Sequence, residues 1–274
     1  MSFSIRNNTD AQFTSSSLAS TQAELSKTMR QLSSGFRINS GADDAAGLAI
    51  SEKLRAQVRG LNQAGKNAQD GVSMLQTAEG ALGQTGDLLQ RVRELTVQGA
   101  NDTLTASDRS NIQAEVDQLL QEVDRFSGTT QFNTQNLLSG SFATSAMTLQ
   151  VGANQNQVIA FTITNASASS LGVSGIAVST QASANAALAS IDAAINTIST
   201  ERGKLGAIQN RLQATISSLS SQSQNLTQSE SRIRDTDMAS AVTNMTRLQI
   251  LQQAGVAAQS QANQSPQVLL SLLR

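Results

Sequence analysis

The sequence contains neither cysteine nor histidine, and this excludes most of the side-chain chemistry that enzymes use. Common zinc sites, thiol catalysis and imidazole-based triads each require one of these residues. An enzyme would have to rely on carboxylates, lysine or serine, and no pattern in the sequence indicates a convergent polar pocket. We therefore expect a protein that is not an enzyme and that holds no metal and no cofactor.

Aromatic residues and proline are also scarce. Trp and Tyr are absent, Phe occurs seven times, and the single proline is Pro266. A core of Ala, Leu, Ile and Val favours slender helix packing, and the near absence of proline is compatible with long uninterrupted helices. The net charge is -1, from 19 basic and 20 acidic residues, so the chain has no electrostatic footprint for nucleic acid.

Both ends of the chain carry apolar residues at helical spacing. Leu18, Leu25 and Leu32 recur every seventh residue, and residues 248–273 contain no charge. Glutamine makes this C-terminal segment too polar to cross a membrane, so we expect no membrane insertion. The pattern predicts terminal amphipathic helices in residues 1–44 and 230–274, which must bury their stripes against each other or against copies of the chain. Polymerisation is the first hypothesis.

The region between the ends, residues 45–229, has the same seven-residue spacing. The two longest series are Leu61, Ala68, Leu75, Leu82, Leu89 and Ile191, Ile198, Leu205, Leu212, Leu219, Leu226. Residues 126–191 carry no charge, and alternating residues predict strands at 147–151 and 158–164 within a small β region at about 140–180. The expected fold is mainly α, an elongated antiparallel helical bundle or coiled coil with a small central β insert.

Three polar segments leave a functional and a structural interpretation open. Asp43 and Asp44 could bind a metal, but acidic residues entering the first turn of a helix explain them better. Ser and Thr of residues 139–180 could accept sugars or belong to a solvated loop. In residues 230–237 three acidic residues offset two basic ones, so this segment is best explained as a connection, with Asp235 or Thr236 capping a helix that starts near Met238.

Short motifs along the chain resemble those of bacterial flagellin, the subunit of the flagellar filament. They include LSSGFRINS at 32–40, DDAAGLAI at 43–50, QTAEGAL at 76–82, LQRVREL at 89–95, TQFN at 130–133, LGAIQNRL at 205–212 and ESRIRDTDMA at 230–239. Phe36 stands where the family more often has Leu. The resemblance covers roughly residues 1–140 and 185–274, which leaves only about 45 residues for the middle, where the family often places outer domains.

The resemblance implies a short flagellin, exported unfolded by the flagellar type III apparatus and polymerising into the extracellular filament used for swimming. Residues 1–44 and 230–274 would form the inner core of the filament, and residues 45–229 its outer core. Expected partners are other copies of the chain, an export chaperone and the cap and junction proteins. The alternatives are the hook-filament junction protein of the same superfamily and, from another class, a regulatory coiled-coil rod.

The resemblance also assigns residues to contacts. A face containing Arg91, Leu95 and Glu115 would contact the next subunit and, in the free protein, the host Toll-like receptor for flagellin. Arg91 and Leu95 are four residues apart, so a surface charge beside a core leucine is the structural alternative. Packing in the inner core is expected from Leu18, Leu25, Leu32, Leu251, Val256, Leu269, Leu270 and Leu273.

Overall fold

The computed structural model describes residues 7–272, and it describes side chains for residues 7–264. The helices are α1 (Thr9–Ser34), α2 (Ala45–Gly99), α3 (Ala106–Thr129), α4 (Ser141–Thr144), α5 (Gln181–Arg234) and α6 (Met238–Leu272). The strands are β1 (Gln131–Phe132), β2 (Gln135–Asn136), β3 (Met147–Gln150) and β4 (Val158–Phe161). The prediction of a mainly α fold with a small β insert is confirmed.

The chain forms two compact units. The first consists of Met1–Ala56 and Asn225–Arg274, and the second of Gln57–Gln224. α2 and α5 each contribute residues to both units. The assignment of the terminal segments to a filament inner core concerns the assembled state, and it stays a prediction.

In the second unit, α5 runs antiparallel to α2. Gln209 donates to Glu79 at 2.8 Å, and Arg93 contacts Asp192 at 2.6 Å, so residue numbers fall along α5 as they rise along α2. The leucines at seven-residue spacing lie between the helices, and Leu205 is fully buried among them. A seven-residue repeat keeps one stripe of each helix against its partner, which explains why this part of the core was predictable.

α3 returns along α2 after a short turn. Thr105 accepts the N–H of Asp108, and the Asp108 carboxylate accepts the N–H of Thr105, which forms a capping box at the start of the helix. Arg109 donates to the carbonyl of Gly99 at 3.0 Å and ties the start of α3 to the end of α2. On α3, Leu120 is buried, whereas the neighbouring Leu119 is only half-buried.

Both pairs of strands are antiparallel hairpins. Gln131 pairs with Asn136 in the first, and Met147 pairs with Phe161 in the second. β3 and β4 lie within the predicted strand ranges 147–151 and 158–164. The connection between β1 and β2 places Asn133 and Thr134 at positive φ, 48° and 65°. Positive φ at both central positions is typical of a type I′ turn, which is normally occupied by Asn-Gly.

Much of the uncharged middle is core, although most of the Ser and Thr side chains of residues 139–180 are exposed. The buried residues of this segment include Ile159, Phe161, Ile163, Ala166, Ala168, Val173 and Val178. Polar side chains of the helices bind its backbone. Gln113 accepts the N–H of Val178 at 2.6 Å, Asp124 accepts that of Ala168 at 2.8 Å, and the buried Glu201 accepts that of Thr164 at 3.1 Å. Because these side chains accept hydrogen bonds from backbone N–H groups, a segment without regular secondary structure can be buried.

Local hydrogen bonds fix the ends of the helices in the first unit. Gly35 ends α1 with φ 74°, a left-handed conformation suited to glycine, and donates to Gln31. Asp44 accepts the N–H of Gly47 at the start of α2, as expected for an acidic residue at a helix N-terminus. At α6 the cap is Asp237, which accepts from Ala239 and Ser240, and not Asp235 or Thr236 as predicted.

Candidate assembly surface

α1 and α6 pack side by side as an antiparallel pair. Asn8 donates to the carbonyl of Ala262 at 2.9 Å, and Thr14 donates to the side chain of Gln259 at 2.7 Å. One turn further, Gly255 faces Leu18: a Cβ added at Gly255 would lie 3.2 Å from Leu18 Cδ1. The small residue therefore lets the two helices approach closely.

The seam of this pair contains few large apolar side chains. α1 contributes leucines and threonines in alternation, namely Ala11, Thr14, Leu18, Thr21, Leu25, Thr28 and Leu32. α6 contributes mostly small or polar residues, namely Ala241, Met245, Leu248, Gln252, Gly255, Gln259 and Ala262. All of these residues are buried or half-buried. Because six of these fourteen positions are Thr, Gln or Gly, the pair gains less from apolar burial than a leucine seam would.

Five large apolar residues of the pair lie outside the seam. Phe13 is 74% exposed and Ile250 61% exposed, and Val242, Leu251 and Val256 are exposed as well. Two shallow grooves run along this surface. One is lined by Val242, Thr243, Thr246, Arg247, Ile250 and Leu251, and the other by Phe13, Thr14, Ser17, Leu18, Thr21, Leu251, Ala254, Gly255 and Ala258. We call the set Phe13, Val242, Ile250, Leu251 and Val256 the outer apolar face. Exposed large apolar side chains in such number on one helix pair are typical of an interaction site.

The predicted inner-core residues divide between seam and outer face. Leu25 is buried in the seam, and Leu18 and Leu32 are half-buried there. Leu251 and Val256 are exposed in the single chain. Leu269 and Leu270 have side chains outside the described residues, and Leu273 lies outside them altogether. The contacts of all these residues in a filament stay a prediction.

Arg91 and Glu115 form a charged contact on the surface of the second unit. The guanidinium of Arg91 donates to Glu115 at 2.9 Å and to Glu94 at 3.2 Å, and these carboxylates raise the pKa of Arg91. Leu95, the third residue of the predicted face, is 2% exposed and belongs to the core between the helices. In the single chain the structural alternative therefore holds: Arg91 and Leu95 share one side of α2, where the charge lies at the surface and the leucine lies on the edge that packs into the core. A subunit contact of this face stays a prediction.

A polar connection joins the end of α1 to the start of α6. The N–H of Arg37 donates to the carbonyl of Arg234 at 2.7 Å, and the N–H of Thr236 donates to that of Gly35 at 2.9 Å. The Arg234 guanidinium lies 4.7 Å from the centroid of the Phe36 ring. The sequence around Phe36 gives no sign of this contact, because the partner residue is almost 200 positions away.

Asp43 lies in the turn before α2 and accepts several hydrogen bonds. Its carboxylate contacts Lys27 Nζ at 3.2 Å and accepts the N–H groups of Asn39 and Ser40. The contact with Lys27 and the hydrogen bonds from Ser40 lower the pKa of Asp43 to about 2. Asp43 thus has a structural role in holding the turn.

In the part of the chain with described side chains, no group of three or more Asp, Glu, His or Cys residues is placed to hold a metal ion. The described helices include no segment long and apolar enough to cross a membrane.

Comparisons with known proteins agree on one family. Residues 5–143 match the model for the bacterial flagellin N-terminal helical region, and residues 188–273 match that for the C-terminal helical region. The chain is 45% identical to the flagellar filament 33 kDa core protein of Treponema phagedenis, over 98% of this chain and 99% of the relative. It is 48% identical to a flagellin of Halalkalibacterium halodurans, over 90% and 91%. Among solved structures, Bacillus cereus flagellin is similar, with a TM-score of 0.50 at 29% identity, over 56% of this chain and 88% of that chain.

Proposed function

We propose how this chain, which belongs to the bacterial flagellin family and is a structural subunit of the flagellar filament, assembles into that filament: neighbouring copies cover the outer apolar face of the α1–α6 pair. The observation that carries the proposal is the distribution of side chains on α6. Gln252, Gly255 and Gln259 face α1 within the chain, whereas Ile250, Leu251 and Val256 are exposed.

Burial of this face can drive assembly. Removing one large aliphatic or aromatic side chain from water contributes about 1.5–3 kcal/mol, so several such residues offset the cost of association. A contact between different patches of neighbouring copies, repeated without closure, produces a filament. In this proposal residues 1–44 and 230–274 build the inner core, and residues 45–229 build the outer core with the β insert at its surface.

The second proposed contact is formed by Arg91 and Glu115. Both are exposed on the second unit, and their mutual contact holds the guanidinium and carboxylate in one place. Leu95 would support this surface from beneath by fixing α2 against the core. In the free subunit the same surface would be available to the host Toll-like receptor for flagellin.

Further roles follow from family membership. We infer that the chain acts structurally and not as an enzyme, that it is exported unfolded through the flagellar type III apparatus with a chaperone, and that it is added below a cap protein and beyond the junction proteins. Its location would then be extracellular, in the filament used for swimming. The rival identification as a hook-filament junction protein is not favoured, because the curated relatives are a flagellin and a filament core protein.

The test is seeded polymerisation of an Ile250→Asp variant. A charge placed in a buried contact without a partner costs several kcal/mol, so elongation from filament fragments should fall by about tenfold or more. Asn244→Asp, at an exposed polar position of the same helix, adds the same charge and serves as the control. Sedimentation and electron microscopy measure polymer, and circular dichroism verifies folding. Elongation of Ile250→Asp at the parental rate would refute the proposed face.

A further inference from the structure

Arg234, the last residue of α5, contacts several separate segments of the first unit. Its guanidinium stacks on Phe36 and pairs with Glu52 at 2.9 Å, and its carbonyl accepts the N–H of Arg37. Arg37 in turn donates to the carbonyl of Ile233 at 2.5 Å. The Arg234 side chain is only 12% exposed. We call Phe36, Glu52 and Arg234 the clamp.

The seam between α1 and α6 does not define a single alignment of the two helices. Its leucines and its threonines both repeat every seven residues along α1. A shift of seven residues, about 10 Å along the axis, would again place Leu against small residues and Thr against Gln. For example, Gly255 would face Leu25 in place of Leu18, and Gln259 would face Thr21 in place of Thr14. The alignment must therefore be selected elsewhere.

We propose that Arg234 is the positioning residue that selects the alignment of α1 and α6. The backbone bonds between residues 35–37 and 234–236 carry no sequence information, since any residue with an N–H can form them. The Arg234 guanidinium does carry sequence information, because its two partners are particular side chains: the Phe36 ring at 4.7 Å and the Glu52 carboxylate at 2.9 Å. This inference rests on the proposed function in one respect: the alignment determines where Phe13 lies relative to Ile250 on the outer apolar face.

The composition of the clamp is energetically unfavourable if its only role is to stabilise the fold. Among the described residues, Arg234 Nε and Thr236 Oγ1 are buried without a hydrogen-bond partner. Burying an unpaired polar atom is unfavourable, and a packed apolar residue at position 234 would avoid it. An alignment role explains why a buried arginine with an unpaired nitrogen occupies this position.

The absence of native cysteine makes the alignment measurable by disulfide formation. A Cβ at Gly255 lies 4.0 Å from the Cβ of Leu18, within the 3.5–4.5 Å that is usual for a disulfide. The pair Leu18→Cys with Gly255→Cys reports the observed alignment, and Leu25→Cys with Gly255→Cys reports a shift of seven residues. Both are made in the full chain, oxidised as monomer and quantified on non-reducing gels. Gly255→Cys is present in both double variants, so its own effect on helix packing cancels when the yields of the two disulfides are compared.

Arg234→Met in these two backgrounds is the decisive variant, because methionine retains an unbranched apolar chain without the charge. Loss of a stacked and paired guanidinium should raise the ratio of shifted to observed disulfide about tenfold. Arg232→Met, at an exposed position in the same turn of α5, should leave the ratio unchanged. Phe36→Leu, which removes only the ring, should raise the ratio by a smaller factor. This variant tests the same contact if Arg234→Met does not fold.

The outcomes separate this inference from the proposed function. If the disulfide ratio is the same in Arg234→Met, Phe36→Leu and Arg232→Met, Arg234 does not select the alignment, whatever the polymerisation result. If the ratio changes while Ile250→Asp polymerises normally, the alignment role stands and the outer apolar face is not the assembly contact. A merely stabilising role would lower the thermal midpoint of Arg234→Met without producing the shifted disulfide.

Discussion

Leu248 and Leu251 lie one helical turn apart on α6, yet Leu248 is 4% exposed and Leu251 is 48% exposed. The first packs in the seam against α1, and the second belongs to the outer apolar face. Two leucines of the same helix therefore have different expected functions, one in the folded subunit and one in the contact between subunits.

Alanine at each position should separate these functions. Leu248→Ala removes a buried side chain, which typically costs about 2–5 kcal/mol, so amide hydrogen exchange in α1 and α6 of the monomer should become faster. Leu251→Ala should leave this exchange unchanged but raise the protein concentration needed for polymerisation. Equal effects of the two substitutions on monomer exchange would show that the seam is wrongly identified.

Leu95 and Arg91 give a second matched pair on α2. Leu95→Ala should lower the free energy of unfolding by about 2–5 kcal/mol, because the leucine is fully packed in the core. Arg91→Ala should change stability little, since exposed ion pairs contribute little, but should reduce seeded polymerisation. Denaturant unfolding and sedimentation measure the two effects. Normal polymerisation of Arg91→Ala would remove this residue from the proposed subunit contact.

Thr134 occupies a backbone conformation that suits glycine. Its φ of 65° is unfavourable for a β-branched residue, so Thr134→Gly should raise the free energy of unfolding by about 0.5–1 kcal/mol after the entropic cost of glycine. Gly140→Ala is the opposite case: φ is 95°, and an added Cβ would lie 3.0 Å from Asn165. Urea unfolding should shift up for Thr134→Gly and down for Gly140→Ala. A destabilised Thr134→Gly would mean that the turn needs the threonine side chain.

Asp43 should make the first unit sensitive to acid. Its pKa is lowered from 3.8 to about 2 in the folded chain, so its ionised form stabilises the fold above about pH 4, and this contribution is lost as the pH falls towards 2. Asp43→Asn should therefore melt at a lower temperature than the parent at pH 6, and the difference should shrink between pH 4 and pH 2. Thermal unfolding followed by circular dichroism across this range measures it. A difference that is constant with pH would contradict the assignment.

The sequence predicts the core of the second unit well because its signal is local and periodic. Leu75 and Leu205 are fully buried, as their seven-residue series predict. The β3–β4 hairpin was predictable for the same reason, from alternation within each strand. The fixed period of a helix or strand links spacing directly to burial.

The burial of the uncharged middle was not predictable in this way. Val178 is held by Gln113, and Ala168 by Asp124, over separations of 65 and 44 residues. A long-range hydrogen bond to backbone leaves no periodic signal at either end. Within the segment, burial is indicated only by the lack of charge and by apolar pairs such as Leu137-Leu138. An exposed loop can have both of these features.

On α6, some strongly hydrophobic residues are more exposed in the single chain than a small alanine is. Ala241 is buried, while Ile250 and Val256 are exposed. The hydrophobic pattern of a helix reflects every surface that the helix buries, both in the monomer and in an assembly. It therefore cannot separate the face that packs within a subunit from the face that awaits a neighbour.

The hairpin of β3 and β4 gives the chain a defined site for added sequence. The N–H of Val151 donates to the carbonyl of Gln157 at 2.9 Å, so the chain leaves and re-enters the hairpin at adjacent points, and Asn154 and Gln155 between them are exposed. A peptide or a whole domain whose own termini are close together can be spliced between Asn154 and Gln155 without separating the strands. Repeated in every copy along a filament, such a graft would form a regular, dense array of the inserted epitope or enzyme.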